Sequence, residues 1–248
     1  MTEIAPQDFA AFTEQARKAA GDAVYPLSVA EGRQSGRIFT HGDAVLFWHC
    51  CGFAYLSGRP DGECLRLLRE RFFNADARFL LITDDRAVTA YFGGDKALTG
   101  EPRIYYQGIR QPVRRLTLPE GFALRQMNRG LLERISGRIV PAFSWTGPEQ
   151  FLRGGLGYCV TQGETVCAWA FTAAVTAQFA DIGVETAPEY RRRGLAAFAA
   201  AALRDRILQS GRTPVWAHHA ANTGSAKTAA ALGFIKQRVC TAIRRSAE

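Results

Sequence analysis

Residues 181–196 read DIGVETAPEYRRRGLA and combine the end of a strand, a turn that contains proline, and the start of a helix. The strand is predicted over Phe179–Thr186, and the helix that follows Gly194 is predicted to stop at Gly211, ahead of Pro214. A glycine in the first helical turn lets backbone N–H groups approach an anion closely. The positive end of the helix dipole adds to that attraction. The stretch therefore predicts an anion site between strand and helix.

A second informative segment, residues 222–234, reads NTGSAKTAAALGF and follows a strand predicted over Thr213–His218. In this segment an asparagine leads a short helix, and Leu-Gly-Phe ends it. Phe234 then returns the chain to a final strand, predicted over Ile235–Ile243. The order of strand, helix, strand, short helix and strand is thus predicted for the last third of the chain.

These two segments resemble two motifs of the GNAT acyltransferase superfamily. Arg191–Ala196 is similar to the signature Arg/Gln-x-x-Gly-x-Gly/Ala, with which GNAT enzymes hold the pyrophosphate of CoA, and Asn222–Phe234 is similar to the second motif. The resemblance implies an α+β (mixed α/β) fold whose central, mostly antiparallel sheet is flanked by helices. The residues implied as CoA contacts at the two motifs are Arg191, Arg192, Arg193, Gly194, Leu195, Ala196, Asn222 and Ser225. The alternatives are an ordinary cationic turn for the arginines and helix capping for Asn222 and Ser225.

Within the superfamily, the sequence is most similar to the group of zwittermicin A resistance acetyltransferases. The likeness lies in the residues of three segments, Val184–Ala196, Pro214–Trp216 and Asn222–Phe234. It extends to two further segments, Phe143–Trp145 and Phe151–Gly157. Proteins of that group carry an additional N-terminal part of about the length seen here.

The resemblance also implies a mechanism in which acetyl-CoA is the co-substrate. The peptide groups of Val184 and Thr186 would pair with the pantetheine arm and polarise the thioester carbonyl. Glu185 is on the opposite pleat and is the first candidate for a general base, with a structural strand carboxylate as the alternative. His218 and His219, at the end of the next strand, are the second choice, and a structural histidine is the alternative there.

One position departs from the superfamily pattern. The helix after Asn222 often carries a tyrosine seven residues on, which protonates the leaving thiolate, and this chain has Ala229 there. Ser225 or a tyrosine from elsewhere could supply the proton, or the thiol could leave without it. The predicted activity is transfer of an acetyl or longer acyl group to an amine of a small molecule, by direct attack in a ternary complex. The aromatic side chains Phe143, Trp145, Trp169 and Trp216 could line an acceptor cleft, although core packing explains each of them as well.

The first part of the chain predicts an α+β region of low specificity. Helices are predicted over Pro6–Ala20 and Glu63–Phe73, one strand over Val45–Leu56, and two more over Arg78–Thr83 and Ala87–Phe92. The Gly- and Pro-rich stretch 93–119 predicts a boundary, which gives an N-terminal region 1–115 and a GNAT domain 116–248. Region 1–115 could be a lid, a degenerate GNAT-like unit or a dimerisation unit, and a homodimer is possible.

The domain 116–248 is predicted to open with a strand and a helix, over Phe122–Met127 and Arg129–Ile139. Thr146 and Glu149 have the spacing of a capping box at the start of a short helix. The strands Gly157–Thr161 and Thr165–Ala173 are then predicted to form a hairpin around a glycine turn.

Composition bounds the remaining possibilities. The chain has 248 residues, 47% of them apolar, and a net charge of +8; residues 1–115 hold 15 basic and 14 acidic side chains, and residues 116–248 hold 16 and 9. A basic second half suits a ligand that carries phosphate. We weigh two other functions: a catalytically silent acyl-CoA-binding sensor, and a basic nucleic-acid-binding protein, for which no aromatic-interleaved basic repeat is present.

The expected setting is the cytoplasm, with no membrane association. No apolar run approaches the roughly 20 residues of a membrane-spanning helix, and the N-terminal stretch is polar. The six cysteines show no spacing suited to zinc, so we expect no metal and reduced thiols.

Overall fold

A computed structural model describes residues 1–109 and 116–246 of the chain. The described residues form twelve strands and eight α-helices. The strands are β1 (Thr2–Glu3), β2 (Gly36–His41), β3 (Ala44–His49), β4 (Phe53–Ser57), β5 (Leu80–Thr83), β6 (Leu98–Gly108), β7 (Ala123–Gln126), β8 (Gly157–Gln162), β9 (Thr165–Val175), β10 (Phe179–Thr186), β11 (Thr213–His219) and β12 (Phe234–Arg245). The α-helices are α1 (Thr13–Arg17), α2 (Val24–Ala30), α3 (Gly62–Leu67), α4 (Arg86–Gly93), α5 (Arg129–Arg134), α6 (Pro148–Gly154), α7 (Leu195–Gln209) and α8 (Thr223–Ala231). Short 3₁₀ segments at Pro6–Phe12, Pro141–Phe143 and Pro188–Tyr190, and a π-helical turn at Leu68–Phe72, complete the elements.

The chain divides into two compact units that alternate along the sequence. Unit 1 consists of Met1–Tyr105, Ala217–Asn222 and Gln237–Glu248, and unit 2 consists of Tyr106–Trp216 and Thr223–Lys236. Three strands, β6, β11 and β12, therefore contribute residues to both units. The division into regions 1–115 and 116–248 stays a prediction, and residues 110–115, next to that boundary, lie outside the described residues.

Unit 2 is built on an antiparallel meander that ends in one parallel pair. β7 pairs with β8, β8 with β9, and β9 with β10, all antiparallel, and β10 pairs with β11 in parallel. The crossover between β10 and β11 is α7, which buries Leu195, Ala199, Leu203 and Ile207 against the sheet. The buried side chains include Trp145, Trp169 and Trp216, so core packing is confirmed for these three indoles.

Unit 1 has the same order of strands and crossover as unit 2. β1, β2, β3 and β4 pair in order and antiparallel, and β4 pairs with β5 in parallel over Phe53–Tyr55 and Leu80–Ile82. The crossover is α3 with its π-helical turn, and α4 follows β5 as α8 follows β11. The end of β12 pairs antiparallel with β5. The predicted mixed α/β class, with a mostly antiparallel sheet and flanking helices, is confirmed.

Two predicted strands of region 1–115 are wrong. Residues 87–92 belong to helix α4, because the Asp85 side chain caps its start by accepting the N–H groups of Ala87 (2.7 Å) and Val88 (3.3 Å). Val88 and Phe92, four residues apart, form the buried face of that helix. The strand predicted over 45–56 is two strands, β3 and β4, joined by a turn at residues 50–52.

Two predictions for the second half also need correction. The helix predicted over 129–139 ends at Arg134, and Ile135 is already extended (φ −77°, ψ 126°). The capping box of Thr146 and Glu149 does not form: helix α6 starts one residue later than that box requires, and Gln150 rather than Glu149 accepts the Thr146 N–H at 3.0 Å. The strands β8, β9 and β10 and the helix α7 agree closely with prediction.

Within the described residues, no helix is both long and apolar enough to span a lipid bilayer.

Candidate functional site

The edge of β10 offers backbone groups beyond the point where its parallel partner stops pairing. β10 pairs with β9 from Ala180 to Thr186, but its pairing with β11 covers only Phe179–Asp181. The N–H of Ala187 donates to the carbonyl of Cys167 at 3.0 Å, so Ala187 and every second residue before it, such as Glu185, point their peptide groups towards β9. Hydrogen-bonded and non-hydrogen-bonded pairs alternate along an antiparallel ladder. The N–H and C=O groups of Val184 and Thr186 therefore point away from β9.

No strand of the described residues pairs with this side of Ile182–Thr186. Val184, Glu185 and Thr186 are half-buried, whereas residues 180–183 of β10 are buried. An extended ligand with its own donors and acceptors can therefore bind along this edge as an additional strand would. A carbonyl placed at the same N–H groups would be polarised.

The turn from β10 to α7 has the backbone shape of an anion cradle. Arg192 (φ +63°) and Gly194 (φ +76°) are in the left-handed region. Arg191, which follows the 3₁₀ turn Pro188–Tyr190, is extended. Successive N–H groups in such a turn converge on one side of the chain. A Cβ built on Gly194 would meet no atom within 4 Å, so the space above it is open.

The start of α7 is uncapped by any side chain and has no acidic residue in its first turn. Its first N–H groups are therefore available, and the helix dipole makes this end positive. Leu195 is buried and fixes the helix start to the core, and Ala196 is half-buried. Both residues belong to the predicted CoA contacts.

The three arginines of the turn keep their charges exposed. Arg193 lies over the ring of Tyr190, with 5.5 Å from its guanidinium carbon to the ring centroid. Other arginines in the described part of unit 2 form ion pairs, among them Arg125, Arg129, Arg134 and Arg204. Arg191–Arg193 therefore face solvent with no carboxylate partner among the described residues, as a site for a phosphate-bearing ligand requires.

The second motif is divided between the units. Asn222 belongs to unit 1, and its N–H donates to the carbonyl of His219 at 2.8 Å. Ser225 belongs to unit 2, in the first turn of α8, where its Oγ accepts a hydrogen bond from the indole N–H of Trp216 at 2.9 Å. Ala229, at the position where a tyrosine is common, is fully buried in the core of unit 2.

The two candidate histidines lie in unit 1. His218 is buried, and its Nδ1 lies 2.8 Å from the carbonyl of His219, to which it can donate. His219 accepts the N–H of Ala221 at its Nδ1, and its Nε2 is 3.2 Å from Glu101.

Glu185 makes a contact that the sequence did not reveal. Its Oε2 accepts the backbone N–H of Ile139 at 2.7 Å, and Trp169, its direct partner on β9, donates its indole N–H to the carbonyl of the same Ile139 at 2.7 Å. Residue 139 is 46 positions from Glu185 in the sequence, and no local pattern could have indicated the pairing.

Unit 2 contains Val184, Glu185, Thr186, Ser225 and the turn Arg191–Ala196, whereas His218 and Asn222 belong to unit 1. Among the described residues there is no group of three or more His, Cys, Asp and Glu side chains that could hold a metal ion.

Comparison with known families gives one match that spans most of the chain. The family model described as GNAT acetyltransferase matches residues 28–243. No curated protein matches the sequence.

Solved structures with the same fold are distant in sequence. A GCN5-related N-acetyltransferase-like protein from Streptococcus suis 89/1591 is 20% identical, with a TM-score of 0.75 over 97% of this chain and 99% of that one. A GCN5-related N-acetyltransferase from Sphaerobacter thermophilus is 16% identical, with a TM-score of 0.63 over 100% and 96%. A tandem GNAT protein from the clavulanic acid biosynthesis pathway is 13% identical, with a TM-score of 0.61 over 100% and 98%.

Proposed function

The chain belongs to the GNAT acetyltransferase family, and from that premise we propose that it transfers an acetyl group from acetyl-CoA to an amine of a small molecule. Family and fold together indicate acyl transfer. The donor, the acceptor class and direct attack in a ternary complex are the parts that we propose. The proposal depends most on one observation: the open edge of β10 runs directly into an uncapped, arginine-flanked helix start.

The described residues fit CoA as a ligand. The amides of Arg191–Ala196 would hold its diphosphate, since the turn has converging N–H groups, open space above Gly194 and exposed cations. The outward peptide groups of Val184 and Thr186 would pair with the pantetheine arm. When bound, acetyl-CoA supplies an acyl group activated as a thioester.

The proposed transfer needs two contributions from the protein. An alkyl amine, with an ordinary pKa near 10.4, must lose a proton before it attacks, and the thioester oxygen must be stabilised as charge builds on it. The N–H groups of β10 serve the second need. For the first, Glu185 and His218 stay predictions, and so do the predicted roles of Asn222 as a CoA contact and of Ser225 as a CoA contact and proton donor.

We propose that unit 1 is a second GNAT-like unit that no longer binds CoA. It has the same order of strands and crossovers as unit 2, and one structural neighbour is described as a tandem GNAT protein. Four statements stay predictions: a lid or dimerisation role of unit 1, a homodimer, a cytoplasmic setting, and membership of the zwittermicin A resistance group.

Thiol release from acetyl-CoA tests the function. The protein is incubated with acetyl-CoA and a panel of primary amines, and free CoA is measured with a thiol reagent. We expect release that depends on both the enzyme and a particular amine, and calorimetric heat on titration with CoA. Calorimetric binding without release for any amine would support the silent sensor, and no binding at all would overturn the proposal. Salt-sensitive binding to nucleic acid without CoA binding would favour the third function.

A further inference from the structure

A short segment of unit 2, Gly137–Ile139, is fixed against one face of β10. The backbone of Ile139 is held at both of its polar groups: its N–H donates to Glu185 and its carbonyl accepts from Trp169, each at 2.7 Å. Glu185 and Trp169 are a directly opposed pair on β10 and β9, so they present their side chains on the same face. The two side chains together grip a single peptide segment.

The fit at this segment is tight. A Cβ on Gly137 would collide with the carboxylate of Glu185 and would lie 2.9 Å from Cζ2 of Trp169. A Cβ on Gly183 would lie 2.8 Å from the ring of Phe171 and 3.3 Å from Cγ2 of Ile139. Gly183 and Glu185 are two residues apart and therefore share a face of β10. The side chain of Ile139 thus lies over Gly183, the residue before Val184.

The carboxylate of Glu185 is committed to this contact. A hydrogen bond between a carboxylate and a backbone N–H is charge-assisted and stronger than one between neutral groups. The described residues give Glu185 no ion pair, so Ile139 is the partner that orients it. At Ile139 the segment makes no helical or sheet hydrogen bonds, so these two side-chain contacts hold its backbone while the Ile139 side chain packs against the core of unit 2.

We infer that Glu185 and Trp169 are positioning residues, which hold Ile139 over Gly183 as the wall of the acceptor side of the site. The inference rests on the proposed function, because the wall matters only if an acyl group is held at the edge of β10. An amine that attacks the thioester carbonyl of acetyl-CoA, held at the N–H of Val184, must approach across one face of β10. The face that carries Gly183 is bounded by Ile139. This role differs from that of a general base, for which a negative carboxylate that accepts a proton is essential.

The two roles respond differently to matched variants. Glu185→Gln keeps an oxygen that can accept the Ile139 N–H but removes the basic carboxylate, whereas Glu185→Ala removes both. Trp169→Phe removes only the donor to the Ile139 carbonyl. Glu133→Gln makes the same chemical change at an exposed carboxylate of α5 and serves as the control.

Steady-state kinetics over a range of pH gives the first readout. We expect Glu133→Gln to match the parent, and Glu185→Gln to retain about tenfold more kcat/KM for the amine than Glu185→Ala, because its amide oxygen still accepts the Ile139 N–H. We expect Glu185→Ala and Trp169→Phe to raise KM for the amine by about tenfold, because each loses a contact to Ile139, with KM for acetyl-CoA unchanged. A loss of kcat in Glu185→Gln as large as in Glu185→Ala, with the acidic limb of the profile abolished, would overturn the inference and identify a base.

Amide hydrogen exchange at Ile139 gives a second readout that needs no activity. The Ile139 N–H should be protected in the parent, in Glu185→Gln and in Glu133→Gln, and should exchange about tenfold faster in Glu185→Ala. Equal protection in Glu185→Ala, in protein whose other amides are unchanged, would show that the carboxylate does not hold the segment. Because exchange does not depend on CoA, failure of this inference is distinguishable from failure of the proposed acyl transfer.

Discussion

Two residues of the turn before α7 have backbone angles that favour glycine, although only one of them is a glycine. Gly194 has φ +76°, and Arg192 has φ +63°. For an arginine this conformation costs about 1–2 kcal/mol. Arg192 is exposed, so core packing does not explain the strain. Strain of this kind is typical of ligand-binding turns. The sequence predicted Gly194 from its motif, but nothing in the side chain of Arg192 indicated its angle.

Gly194 permits a matched comparison with Gly163, at the tip of the β8–β9 hairpin. Both have positive φ (+76° and +56°), and a Cβ on either would meet no atom within 4 Å. We expect Gly194→Ala and Gly163→Ala each to lower the free energy of unfolding by about 1 kcal/mol, measured by urea denaturation. Only Gly194→Ala should weaken acetyl-CoA binding, by about tenfold in calorimetry, because its methyl group would crowd the converging amides. Equal affinities in the two variants would contradict the proposed cradle.

Side chains cap the starts of α3, α4 and α5, whereas the starts of α1, α2, α6 and α7 have no side-chain cap. Asp61 caps α3, Asp85 caps α4 and Asn128 caps α5, each by accepting backbone N–H groups of the first turn. The start of α7 has no such cap. Local patterns predicted the bounds of β10 and α7 closely, because the periodicity and stop signals of both elements are local. The same kind of pattern failed for α4 because a run of six residues fits a strand as well as a capped helix.

The cap of α4 can be tested with two neighbouring aspartates. We expect Asp85→Ala to lower the free energy of unfolding by about 1 kcal/mol, since two N–H groups lose their acceptor. Asp84→Ala loses only an exposed pair with Arg238 at 3.4 Å, and its effect should be within about 0.5 kcal/mol. Urea denaturation of both variants measures the difference. An equal effect of the two would argue against the cap as the feature that sets the helix.

The two units share one order of strands and helical crossovers. In each unit an antiparallel meander leads to a parallel pair whose crossover is helical. The turns at the crossovers differ in charge: in unit 1 the Asp61 carboxylate accepts the N–H of Cys64, and Glu63 lies in the first turn of α3. An anionic diphosphate would be repelled there. No residue motif of unit 2 recurs in unit 1, so the sequence alone did not reveal the repeat.

We therefore expect one CoA to bind per chain. Isothermal titration of the full chain with CoA should give a stoichiometry of about one, and Gly194→Ala should weaken that single event. The enzyme is used whole, because residues of both units alternate along the chain. Two equivalents of CoA bound with similar affinity would contradict the proposal that unit 1 has lost its site.

The local order of apolar residues, glycine and proline was enough to predict the mixed α/β class, the likeness to GNAT enzymes, and the strand, turn and helix from Phe179 to Gln209. Three features became visible only in the folded chain: β10 stops pairing with β11 at Asp181, Ile139 lies over Gly183, and unit 1 repeats unit 2. Strand partners and loop contacts join residues far apart in the chain. Their choice depends on packing of the whole core, which no local spacing encodes.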